Sequence, residues 1–228
     1  MSDDPTLDDP AYHAAVVDLL GALAYAELSA FSRMAADSEL APTLANKAEL
    51  GSVAVTEFHH HEALVAELAR IGADPVAAMQ PFIHALDAFH ERTRPSFWLE
   101  GVVKAYIGDG IAADFYREIA RFVDDRTRDL VLSSLDDVTR ADFAVTVVRD
   151  GIQADPRVAG RLALFGRRLI GEALTQGQQV AVERDGLASL LVGGVGRGGG
   201  ADLAEIGRMF ARMTDNHSNR MARLGLTP

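Results

Sequence analysis

Apolar residues recur every three to four positions through long windows poor in proline and glycine, with little period-two alternation. That spacing commits the chain to amphipathic helices packed on one another. A first helix is predicted from Pro10 to Asp37, with the stripe Val16, Leu20, Leu23, Glu27, Ala30, Met34. A short turn, Ser38 to Pro42, leads to a second helix ending near Ile71, before Gly72. So short a connection makes the two antiparallel neighbours. Residues 73–96 carry Pro75, Pro81 and Pro95 and read as a long crossover with a short helix between the last two prolines. A third helix, Phe97 to about Val123, carries the stripe Val102, Tyr106, Asp109, Ala113, Tyr116. The fourth starts at the polar pair Asp124-Asp125 and runs to about Ile152. Two helical hairpins joined by one long crossover define an all-α, ferritin-like four-helix bundle.

The expected organisation is an acidic, disordered N-terminus (1–9), the bundle (10–155), and a C-terminal helical extension (156–228) packed on it. The extension holds a fifth helix, Arg157 to about Arg184, and a sixth, Ala201 to about Leu224. Between them GGVGRGGG (193–200) satisfies the glycine spacing of a dinucleotide fingerprint at Gly194, Gly196 and Gly199. Only one helix follows it, so no βαβ unit can be completed and a loop is the better reading.

Charge and cysteine content exclude several classes. No cysteine is present, which removes disulfides, thiolate metal sites and a cysteine nucleophile. The polar N-terminus MSDDPTLDDP is unlike a secretory leader, so the chain reads as cytoplasmic. Asp18 and Glu27 interrupt the apolar runs, so no membrane span is expected. The net charge of −11 is uneven: residues 157–228 hold 10 Arg against 6 acids. A strongly acidic protein is a poor general nucleic-acid binder. The arginines Arg208, Arg212, Arg220 and Arg223 read as solvated faces, or as a local patch for an anionic partner.

The chemistry-bearing residues are acids on apolar stripes. A buried carboxylate without a partner costs several kcal/mol, so it is usually paired or bound to metal. Glu57-Phe58-His59-His60 is a Glu-x-x-His, whose spacing sets carboxylate and imidazole on one helical face. Glu27 is the sole acid in the middle of the first helix. Counted from the turn, Glu27 and Glu57 differ in height by about 6 Å and can converge. The same count pairs Asp109 with residues 136–142, where Asp136-Asp137-Val138-Thr139 stands and no histidine does. Plainer roles stay open: Glu27 paired with an arginine, His60 a hydrogen-bonded core imidazole, Tyr106, Tyr116 and His217 packed in the core. Asp114, Glu118 and Arg121 read as a solvated face, Glu100 as a weaker candidate than Asp109, and Glu172 as an ambiguous near-core acid.

These features, with EFHH at 57–60, KAYIGDGIAADFYREIARF at 104–122 and the following DDRTRDLVLSSLDD, resemble the ferritin-like MiaE-type proteins. That family is related to the tRNA hydroxylase acting on 2-methylthio-isopentenyladenosine, and the resemblance spans roughly residues 10–180. It implies a non-haem di-iron site that activates dioxygen, with tRNA or a modified nucleoside as substrate. Carried onto this sequence, it implies metal ligands at Glu27, Glu57, His60, Asp109 and Asp136, the last in place of a full Glu-x-x-His. The competing expectation is a bundle that has lost half its ligands and serves as a binding or interaction module, possible partners including a second copy in a homodimer.

Overall fold

The computed structural model describes residues 7–133, 138–191 and 203–228. Helix α1 (Pro10–Asp37) and helix α2 (Leu44–Arg70) form the first antiparallel hairpin. Asp9 caps α1 by accepting from the Ala11 amide at 2.8 Å, and Pro10 opens the helix where its missing N–H costs nothing. Thr43 caps α2 through Asn46 N. The helix closes on Gly72 at φ +82°, with Gly72 N–H bonded to Ala69 and Ala73 N–H to Leu68. This is the left-handed close that glycine makes cheaply.

The crossover contains α3 (Pro75–Met79) and α4 (Ile83–Arg92), so it holds one more helix than expected. Gly21 makes that packing possible: a Cβ there would overlap the Ala78 carbonyl, so α1 and α3 approach backbone to backbone. Helix α5 (Trp98–Ile119) follows. The expected fourth helix corresponds to α6 (Asp125–Ser133) and α7 (Val138–Ala154), on either side of residues outside the description. Helices α8 (Val158–Glu183), α9 (Asp185–Leu191) and α10 (Leu203–Arg223) complete the chain. Helix α9 was not expected; its Leu187 and Leu190 are buried against α1 residues. Because α9 is helical, the glycine-rich segment after it is not preceded by the strand a dinucleotide site needs. GGVGRGGG itself lies outside the described residues.

Helix α5 is the axis of the second half of the bundle, packed against α7, α8 and α10. The core is two clusters stacked along the bundle. One joins Leu50 and Val53 of α2 and Val102 to Ile111 of α5 to Val148, Leu162, Leu169 and Met221. The other joins Tyr12 to Ala24 of α1 and Leu64 and Leu68 of α2 to Phe82, Tyr116, Ile119 and Leu187. Helix α2 crosses from one to the other between Ala54 and Leu64, and α5 between Ile111 and Tyr116.

The helical stretch from Pro10 to Leu40 is long and apolar enough to cross a membrane, despite Asp18 and Glu27. Half of its most apolar window is buried inside this fold, as in a core helix.

Candidate metal centre

At the waist between the two clusters stand Glu27 of α1 and Glu57 and His60 of α2. Both carboxylates are buried, and His60 is half-buried. The structure thus brings together the first-hairpin residues picked out in the sequence. Their potential ligand atoms all lie within 4.8 Å of one another. Ligands sharing one ion at about 2.1 Å in tetrahedral geometry are about 3.4 Å apart, so closure of up to about 1.4 Å would seat a cation.

The local packing fixes the trio. His61, the next residue, donates from Nδ1 to the Ala24 carbonyl at 2.8 Å and ties α2 to α1 beside the site. Phe31 and Phe58, with ring centroids 5.0 Å apart, pack α1 against α2 next to it. His59 is exposed, as one of three consecutive histidines must be. His60 Nδ1 lies 3.9 Å from Glu27 Oε2 and 3.7 Å from Glu57 Oε2, too far for hydrogen bonds. That nitrogen is buried and has no hydrogen-bond partner among the described residues. Helix α5 adds Tyr116, whose buried hydroxyl donates to Glu27 Oε1 at 3.2 Å.

Burial and the neighbouring Glu57 push the Glu27 carboxyl up from its ordinary value to about 8. The two carboxylates push His60 up to about 9. Burial and the same acids raise Tyr116 well above the usual phenol range. The trio therefore retains protons at neutral pH when no cation is present. Once those protons are displaced, two carboxylate oxygens and the His60 nitrogen suit a divalent ion of the ferrous or zinc type.

Asp109 is not part of this group. It is exposed and lines a cavity between α5, α7 and α10. Tyr116, seven residues later on the same face, occupies the level of the trio instead. Asp136 lies outside the described residues. His217 is buried and neither ring nitrogen has a hydrogen-bond partner among the described residues, but the charged groups acting on it are Arg220 and Asp114, not the trio. Glu100 accepts from Ser96 and from Arg161 at 2.8 Å, and Glu172 pairs with Arg92 at 3.3 Å; both are structural.

The reading of Asp114 as solvated is corrected. It is 5% exposed and accepts from Asn216 at 3.0 Å and Arg220 at 2.5 Å, both from α10. Glu118, one turn on, takes Arg212 of the same helix through two bonds of 2.8 Å. Sequence reasoning saw acids and arginines as separate faces. The signal available was charge complementarity: Asp114 and Glu118 lie one turn apart on α5, and Arg212 and Arg220 two turns apart on α10.

An all-helical bundle with acids and a Glu-x-x-His facing inward at mid-height is the ferritin-like arrangement. The chain belongs to the ferritin-like domain family of actinomycetes, whose family model matches residues 10–194. No curated protein matches it.

Proposed function

We propose that this ferritin-like protein binds one divalent metal ion per chain, iron in the first instance, through Glu27, Glu57 and His60. The observation that carries the reading is the buried, unpartnered His60 Nδ1 facing two buried carboxylates. Bound iron would supply redox chemistry with dioxygen. Around it Glu27 and Glu57 would hold charge, and Tyr116 would hold Glu27 in place through its hydroxyl proton. The buried waist would limit water. The resemblance to MiaE-type proteins supports oxygen-dependent hydroxylation of a modified nucleoside or other small substrate as the activity such a centre serves.

A second reading, a bundle that binds without redox catalysis, is favoured by one observation: the group supplies ligands for a single ion, and Asp109 stays outside it. Iron content after anaerobic ferrous loading and desalting tests both readings, with Glu57→Ala/His60→Ala beside wild type. One iron per chain, lost in the double variant, is the expected result. Two irons would restore the di-iron hydroxylase reading and call for Asp109 and Asp136 as ligands. No iron in either protein overturns the metal centre. Dioxygen consumption by the loaded protein with a reductant separates hydroxylase from binding module.

A further inference from the structure

We propose that the cavity between α5, α7 and α10 binds a small monocarboxylate with a compact apolar body, its carboxylate held by Arg220 and Tyr106. The cavity has a volume of about 190 Å³. Two buried donors on its lining, Arg220 Nη1 and the Tyr106 hydroxyl, have no hydrogen-bond partner among the described residues. Each such group is costly to leave unsatisfied, and a guanidinium nitrogen can only donate, so what completes the pair must offer acceptors.

The site is built. Arg220 is fixed by its bond to Asp114 at 2.5 Å, with its side chain 14% exposed. Its guanidinium lies on bare α5 backbone at Gly110, where a Cβ would overlap it. Tyr106 lines the same cavity from four residues before Gly110, with the Arg223 guanidinium 6.0 Å from its ring centroid. A planar carboxylate with two oxygens can bridge two such donors.

The rest of the lining sets the ligand's size and charge. Leu50, Val53, Val102 and Phe143 give it apolar walls. About 150 Å³ of apolar cavity accommodates benzene, so a benzoate-sized molecule is the fit. At the rim Arg117 and Arg223 are exposed, but Arg117 faces Asp114 at 3.7 Å and Arg223 faces Asp142 at 3.6 Å. Asp109 adds a further carboxylate at the rim. With the arginines so balanced, a monoanion is favoured over a phosphate dianion.

The inference does not rest on the metal centre, and its test keeps the two apart. Metal-free full-length protein is titrated calorimetrically with benzoate, with benzyl alcohol as the neutral isostere, and with inorganic phosphate. One benzoate per chain is expected, with benzyl alcohol about tenfold weaker or worse and no phosphate binding. Tyr106→Phe should weaken benzoate several-fold. Ala113→Leu, which fills the lining and leaves both donors, should abolish binding. Glu57→Gln should leave it unchanged, so loss of the metal reading would not touch this one. Absence of benzoate binding in correctly folded wild type, or equal binding in Ala113→Leu, overturns the proposal and leaves the two donors to water.

Discussion

The α1–α2 hairpin and the α5–α10 pair both bury carboxylates, and they treat them in opposite ways. Asp114 and Glu118 of α5 meet Arg220 and Arg212 of α10, so each charge is neutralised by a cation of the same chain. The arginines hold the Glu118 carboxyl below its ordinary value. Glu27 and Glu57 face each other and His60, and burial drives the Glu27 carboxyl upward. Acids answered by arginine fasten helices together. Acids that face one another and an imidazole hold protons until a metal displaces them. The difference separates structural carboxylates from a candidate site in one molecule.

Removing a partner from the neutralised pair should have the largest effect. Arg220→Met leaves Asp114, 5% exposed, with Asn216 and the exposed Arg117 at 3.7 Å. A buried charge stripped of its partner typically costs about 3–5 kcal/mol, and the remaining amide places this one near 3. Urea unfolding of the variant should show the loss; an unchanged midpoint would mean Asp114 is not held as a charge.

The un-neutralised group should instead show its character in pH dependence. Metal binding must displace the protons on Glu27 and His60, so affinity rises with pH until both are lost, at about 8 and about 9. Two displaced protons give about a hundredfold per pH unit while both are held, hence on the order of ten-thousandfold between roughly pH 6 and pH 8. Competition for ferrous iron or zinc against a chelator at the two pH values reads this directly, and a flat profile would place the metal elsewhere.

Without metal, the same protons make the fold sensitive to base. Folded Glu27 keeps its proton to about pH 8 against an ordinary 4.5, so the folded state binds more protons in that window. Stability therefore falls as pH rises from about 4.5 through about 8. His60, raised from 6.5 to about 9, acts in the same direction: its contribution is present below 6.5 and lost through about 9. Glu27→Gln removes the charge and keeps the Tyr116 acceptor. It should stabilise the metal-free protein by about 1–2 kcal/mol at pH 8 and by nothing near pH 4. A loss of stability at pH 8 would contradict the raised carboxyl.

Which parts of this were legible in the sequence follows from range. Helices and their ends are local: Pro10, the turn from Ser38 to Pro42 and Gly72 mark boundaries that the structure keeps. The Glu-x-x-His and Glu27 were legible because a short turn fixes the register of two adjacent helices. Asp109 was chosen by counting back from a turn near 124, and a seven-residue drift along one stripe put Tyr116 at the site's level instead. The contacts of α10 on α5 were not legible, because no turn length sets the register of helices about 90 residues apart in the chain. Only charge complementarity carried that information, and it could be read equally well as two solvated faces.

The smallest effect tests whether the α5–α10 pairing is uniform. Glu118 and Arg212 have the better geometry, two parallel bonds of 2.8 Å, yet the Arg212 side chain is 41% exposed. Water competes for that guanidinium, and Arg121 remains at 3.1 Å to receive the carboxylate. Arg212→Gln should therefore cost less than about 1 kcal/mol, and the cost should shrink as salt is raised. Arg220→Met, acting on a buried partner, should barely respond to salt. Measuring both variants at low and high ionic strength thus separates burial from bond geometry as the source of the pairing's strength. Equal salt dependence in the two would mean that the Asp114 pair is as solvated as the Glu118 pair.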